Sequence, residues 1–183
     1  LKDLEGMKIQ AGSRDAVELV KSLGAVPISK PVSETYEMLS SGIVDGVLAP
    51  LEGVKSFRLD KFVKVSKRTP IALASLSMIM SQKVWDSISA QDQAAIDKLS
   101  GERLARALGK GFDVVDDEAI ALLKAVGVEP TPLPETVVQA MKAKAQPLEA
   151  TWIESAKARG LSNAAEVLTE YRNEIVKASR EAK

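Results

Sequence analysis

Apolar and polar residues alternate in short bursts over the first fifty positions, and the second half of the chain settles into long helical repeats. Met7–Gln10 is a brief run of β character after the turn at Glu5-Gly6. Ala11-Gly12-Ser13 then introduces a helix over Arg14–Leu23, apolar at Val17, Leu19, Val20 and Leu23, and Gly24 closes it. Ala25–Ile28 is the next strand, broken by Pro31. Val32–Ser40 is a short helix with Ser33 as its cap, ended by Gly42, and Ile43–Ala49 is a third strand. Strands separated by such short helices predict a parallel sheet, because parallel neighbours need crossovers. Phe62–Ser66 and Ile71–Met80 read as two further, longer strands, with the polar tract Lys64–Arg68 as a crossing or turn.

The pattern changes near Ser89, where Asp92 three residues on completes a capping-box-like start. From there apolar residues recur at Ile96, Leu99, Leu104, Leu108, Phe112, Val115, Ala119, Leu122 and Val126. This spacing predicts one long helix over Ser89–Val126. Gly101, Gly109 and Gly111 act as bends rather than ends, since a glycine costs only about 1 kcal/mol in a helix interior. Gly127 ends this helix. Pro134 opens another that runs to about Arg159, and Asn163 with Glu166 caps a last one to about Ala182.

Composition narrows the chemistry. The 183 residues suit one domain or two small lobes and can bury a core without staples. There is no cysteine and no histidine, so disulfides, thiolate nucleophiles, imidazole bases and Cys- or His-based metal sites are all excluded. A carboxylate- or lysine-dependent enzyme is the remaining catalytic option, and no nucleophile motif supports it. The formal net charge is zero, and the aromatics are two Trp, two Tyr and three Phe, which argues against nucleic-acid binding. No apolar run approaches the ~20 residues of a membrane span. The first residue is Leu1 and no basic-then-apolar leader follows, which is expected either of a chain whose leader has been removed or, the reading favoured here, of part of a longer protein.

Few side-chain groups invite a specific reading. Gly109-x-Gly111 lacks the preceding strand of a phosphate loop and reads as close packing. Asp113, Asp116 and Asp117 could face a hard cation, but such a run is more commonly a solvated acidic face. Trp85 and Trp152 read as core or groove packing. The segment Ile9-Gln10-Ala11-Gly12-Ser13-Arg14 is more informative. It couples a strand end, a small-residue turn and a helix start, which presents free N–H groups to an anion, and Arg14 can clamp a carboxylate. The alternative places Arg14 on the outer helix surface, paired with Glu18. The loop Leu48-Ala49-Pro50-Leu51-Glu52 lies at the same edge if the sheet is parallel.

Several segments together resemble one family. They are Asp3-Leu4-Glu5-Gly6-Met7-Lys8-Ile9, Leu23-Gly24-Ala25-Val26-Pro27, Pro31-Val32-Ser33-Glu34-Thr35-Tyr36 and Gly42-Ile43-Val44-Asp45-Gly46, continued by Trp85-Asp86-Ser87-Ile88 and Ser100-Gly101-Glu102. In order and spacing they are similar to the extracytoplasmic solute-binding proteins of tripartite ATP-independent periplasmic (TRAP) transporters, the DctP type. The resemblance implies an α/β, periplasmic-binding-protein-like fold with a parallel-dominated sheet lobe, crossing strands and long scaffold helices. Residues 1–66 are then a second α/β lobe, 67–88 the crossing strands with part of the first lobe, and 89–183 a spine helix with C-terminal helices. It further implies a monomeric, periplasmic, non-catalytic protein without cofactor or metal. Such a protein binds a small organic solute, an organic acid in particular, and hands it to the membrane subunits of a TRAP system without inserting into the membrane itself. A ligand-free sensor of the same fold is the alternative. The implied ligand-binding residues are Gln10, Ser13, Arg14, Val32, Ala49, Leu51 and Ser75. Family members usually carry Arg at the position of Gln10, so the neutral amide here shifts the expected charge contact to Arg14.

Overall fold

The computed structural model describes residues 1–72 and 76–181. Three strands, β1 (Lys8–Ala11), β2 (Val26–Ile28) and β3 (Gly46–Leu48), form a parallel sheet in the order β2-β1-β3. Lys8, Ile9 and Gln10 pair with Val26, Pro27 and Ile28, while Ile9, Gln10 and Ala11 pair with Gly46, Val47 and Leu48. The crossover from β1 to β2 is helix α1 (Arg14–Ser22). From β2 to β3 the chain passes through a 3-10 turn (Val32–Glu34) and helix α2 (Thr35–Ser40). Ser13 caps α1 as its side chain accepts from the Ala16 N–H. Ser33 does not cap α2; it sits inside the 3-10 turn, and α2 continues from Glu34 without a side-chain cap.

Alternation along β1 sorts its side chains onto two faces. Ile9 and Ala11 join Val20, Ala25, Leu4, Ala16, Val17 and Leu48 in one apolar cluster under α1. Gln10 therefore projects from the opposite face. Two motif residues hold β3 in register. Asp45 accepts from the Lys8 N–H through Oδ2 (2.8 Å), and its own N–H donates to the Lys8 carbonyl (2.8 Å). Gly46, opposite Ile9, leaves room that a side chain would fill, because a Cβ there would lie 2.9 Å from Ile9 Cδ1.

Beyond β3, a single turn of helix, α3 (Gly53–Ser56), leads into a 3-10 turn at Leu59–Lys61. The strand expected at Phe62–Ser66 does not form; the chain there is irregular. Among the described residues an isolated parallel bridge, Lys67 to Thr131, follows it. Of the strand expected at Ile71–Met80, the described residues are likewise irregular, and Leu76, Met78 and Ile79 are 71–90% exposed. A strand is held by its neighbours' N–H and C=O groups, and among the described residues no strand lies beside this tract. Ser75 falls outside the described residues.

Helix α4 (Gln82–Ser87) is capped by Ser81. Helix α5 (Ala90–Leu99) starts at the Ser89–Asp92 capping box: Ser89 Oγ accepts from the Asp92 N–H (3.1 Å) and donates to Asp92 Oδ2 (2.7 Å). The long helix expected over Ser89–Val126 is two helices, α5 and α6 (Glu102–Ala125), broken at Ser100-Gly101. Gly101 lies at φ 65°, ψ −138°, far from helical values and open to glycine alone. Ser100 Oγ donates back to the Ile96 carbonyl (2.8 Å) and satisfies one end of α5. Gly109 and Gly111 continue α6 as expected. Helices α7 (Glu135–Ala158, preceded by Pro134) and α8 (Ala164–Glu181) match the predicted limits closely. Helix α7 packs on α1 and pairs with α8, where Arg172 donates to both carboxylate oxygens of Glu149 at 2.9 Å. Trp85 is half-buried, whereas Trp152 on α7 is 40% exposed rather than in a core.

Candidate functional site at the C-terminal edge of the sheet

Parallel strands bring their C-terminal ends, and the connections leaving them, to one edge. Here those connections are Gly12-Ser13 into α1, Ser29–Glu34 into α2, and Ala49–Glu52 into α3. With β1 central, the chain leaves it toward β2 on one side, while β3 lies on the other. The β1/β3 position is thus a topological switch point, where open α/β sheets leave a crevice for ligands.

The expected site residues divide between this edge and the interior. Arg14, the first residue of α1, is exposed, and among the described residues it makes no ion pair; the pairing with Glu18 is not formed. It stands beside the positive end of a nine-residue helix with its guanidinium uncommitted. Ser13 is exposed, but its oxygen serves the Ala16 N–H at 3.2 Å. Val32 is 40% exposed on the β2–α2 connection, Ala49 is exposed, and Leu51 is half-buried. Ser13, Val32, Ala49 and Leu51 sit on these connections, and Arg14 opens the helix that follows the first of them, all at one edge.

Gln10 differs from the expectation that it faces a cleft. It is 1% exposed, and its Nε2 donates to the Lys30 carbonyl (2.9 Å). Among the described residues its Oε1 has no partner, nor does the buried Oγ1 of Thr35 at the start of α2. The partner of Gln10 is a backbone carbonyl, so no side-chain pattern in the sequence could have disclosed it.

Electrostatics tie the third connection to the scaffold. Burial pushes the Asp116 carboxyl up; the N–H of Glu52, which it accepts, lowers it, and the carboxylates of Glu52, Asp113 and Asp117 raise it again. Nearby, Lys55 on α3 pairs with Glu118 on α6. These two contacts hold the loop bearing Ala49 and Leu51 against α6. The run of carboxylates suggests a solvated face for Asp116, whereas its partner stands 64 positions earlier, where no local pattern links the two. Among the described residues, no group of carboxylates is arranged to hold a metal ion. A shallow groove lined by Lys55, Glu118, Ala121, Leu122 and Ala125 has only this ion pair as its polar content.

Known proteins share this fold. A TRAP periplasmic solute-binding protein of Bordetella bronchiseptica, solved with bound (R)- and (S)-mandelate, superposes with a TM-score of 0.84 at 31% identity, covering 96% of this chain and 56% of that one. A TRAP solute-binding protein of Rhodoferax ferrireducens, in complex with copurified benzoate, superposes with a TM-score of 0.85 at 26% identity, covering 100% of this chain and 58% of the other. By sequence, the outer membrane transporter protein TsaT of Comamonas testosteroni is 26% identical over 172 residues, 92% of this chain and 50% of that protein. The chain therefore spans about half the length of the relatives it matches. Residues 1–155 match the family described as bacterial extracellular solute-binding protein, family 7, DctP. With an α/β fold and a parallel sheet in common with its structural relatives, the chain belongs to that family.

Proposed function

We propose that this chain forms part of a periplasmic solute-binding protein that holds a small organic acid and delivers it to the membrane subunits of a TRAP transporter. The observation that carries the reading is Arg14: an exposed guanidinium without an ion-pair partner among the described residues, beside a helix N-terminus at the sheet's switch point. Mandelate and benzoate, bound by two of the structural relatives, are both aromatic monocarboxylates, and we assign this ligand class here. The carboxylate meets Arg14. The exposed Val32 and the small Ala49 offer apolar contact to the ring. Binding proceeds without turnover, in keeping with relatives that are solute-binding proteins. Residues 1–66 act as one lobe of the binding protein, and 89–183 as its helical scaffold. The exposed tract at Leu76–Met80 completes its pairing against the rest of a two-lobed, monomeric protein.

Titration calorimetry on the product of the complete reading frame that contains these residues tests the proposal. Benzoate or mandelate binds and benzamide does not, since the neutral amide offers Arg14 no charge. Arg14→Ala weakens benzoate binding about 10- to 100-fold, the equivalent of a charged hydrogen bond of about 1.5–3 kcal/mol. Affinity within twofold of wild type refutes the clamp, and equal binding of benzamide refutes the anionic ligand.

A further inference from the structure

We infer that Gln10 is a positioning residue: it does not touch the ligand but brackets the β2–α2 connection and so sets the wall of the binding edge that carries Val32. The inference rests on the proposed function for its consequence and on independent geometry for its substance. Gln10 occupies the central strand, with Ile28 and Val47 as its register partners on either side. Strand alternation sends its side chain to the face opposite the apolar cluster of Ile9 and Ala11. There it is sealed from solvent, and its Nε2 reaches across β2's exit to the carbonyl of Lys30. Lys30 stands two residues beyond β2 and two before Val32. Its own side chain pairs with Glu34 one turn on (3.8 Å), so the same short segment is held from inside by Gln10 and from outside by an exposed ion pair. No hydrogen bond between backbone groups holds Ser29 or Lys30 among the described residues; the segment's first such bond is Glu34 N–H to Pro31 O. The amide of Gln10 is thus the tie that fixes the connection between β2 and the 3-10 turn.

Among the described residues Gln10 Oε1 has no partner, which strengthens the case. A buried acceptor without a partner costs stability, whereas an apolar side chain of the same length carries no such cost. Gln10 is consequently a poor choice for packing alone and a good one for a bracket, which needs only the N–H. Its burial also separates its role from that of Arg14: an amide sealed beneath the connection contributes shape, and the exposed guanidinium contributes charge.

The experiment uses the product of the complete reading frame. Gln10→Met keeps length and removes both the bracketing donor and the orphan acceptor. Hydrogen exchange at Glu34 and Thr35, whose N–H groups bond the Pro31 and Val32 carbonyls, is expected to rise at least tenfold and exchange within β1 and α1 to stay within twofold. Loss of the orphan acceptor offsets the Lys30 carbonyl left unpaired, so midpoint stability stays near wild type, while benzoate affinity falls about tenfold. A purely structural residue would lose stability and affinity together and would leave no local exchange signature, and that result overturns the inference. Unchanged exchange at Glu34 and Thr35 overturns it as well. A second measurement needs no variant. In wild-type protein the Gln10 side-chain amide protons exchange far more slowly than those of the exposed Gln139, and saturating benzoate moves the Arg14 Nε resonance more than the Gln10 Nε2 resonance. If Gln10 Nε2 moves most, it touches the ligand and is not a positioning residue. If benzoate does not bind wild type at all, the proposed function fails, and the exchange comparison alone still decides whether the bracket exists.

Discussion

Gly46 offers the sharpest test of how this sheet is assembled. An alanine there puts a methyl 2.9 Å from Ile9 Cδ1, a separation that real Cβ atoms do not sustain, so something must shift. The clashing atom is the far end of a half-buried side chain rather than backbone. Relief through an Ile9 rotamer is open but disturbs the cluster with Ala11, Val20 and Leu48. Overpacking of this kind costs about 1–3 kcal/mol. Against it stands the lower chain entropy of alanine in a strand, worth about 0.5–1 kcal/mol in its favour. Gly46→Ala alone should therefore destabilise by about 0.5–2 kcal/mol. Ile9→Val removes the offending methyl at its own cost of about 0.5–1.5 kcal/mol. In the double variant the clash is gone and the alanine benefit remains, so the pair should be less destabilised than the sum of the singles by about 1 kcal/mol or more. Urea denaturation of the four proteins, followed by far-UV circular dichroism, reads this coupling directly. Additivity within about 0.3 kcal/mol would show that the β1–β3 register is not the one described and would refute the reasoning.

Three further outcomes follow from single contacts. Asp116 has its carboxyl raised by burial, so its charged form is disfavoured in the fold; its contribution is present at pH below the ordinary carboxylate value and is lost as pH rises through the raised one. Asp116→Asn, whose Oδ1 still accepts from Glu52, should therefore match wild type at pH 3 and be equally or slightly more stable at pH 7; a loss at pH 7 would contradict this. Glu149 is held below its ordinary value by the hydrogen bond from Arg172, so its contribution is complete above that ordinary value and disappears as pH falls through the depressed one. Arg172→Gln should remove that acid-side dependence while costing less than about 1 kcal/mol at pH 7, the range of exposed pairs, as read by thermal unfolding across pH. Ser89→Ala removes the cap of α5 and should cost about 1 kcal/mol, with faster hydrogen exchange confined to the first turn of that helix; exchange spread into α6 would contradict two separate helices.

Much of the fold is written in local features. The three short parallel strands, the α1 start at Ser13, and the limits of α7 and α8 follow from strand–helix alternation, capping oxygens and helix-ending glycines, all of which act within a few residues of themselves. The edge at which the connections gather is legible too, because a parallel sheet places its strand exits together whatever the loops contain. Local pattern failed where a neighbour decides. Ile71–Met80 carries the composition of a strand, but a strand exists through its partner's hydrogen bonds, and the described residues supply none. Apolar spacing ran unbroken across Gly101 because side-chain periodicity records which face is buried and is blind to one backbone ψ. The site shows the same divide. Arg14 could be placed at the edge from the turn before it, since a helix N-terminus and its neighbours are fixed locally. Gln10 could be placed only on the central strand. Whether its amide met a ligand or a carbonyl depended on the path of a connection twenty residues on, and the tertiary fold alone brings Lys30 over it. Asp45 and Gly46 read as a motif without a reason. Packing supplies one: a carboxylate that bonds the Lys8 N–H at the head of β1, and a missing side chain that lets Ile9 lie against β3.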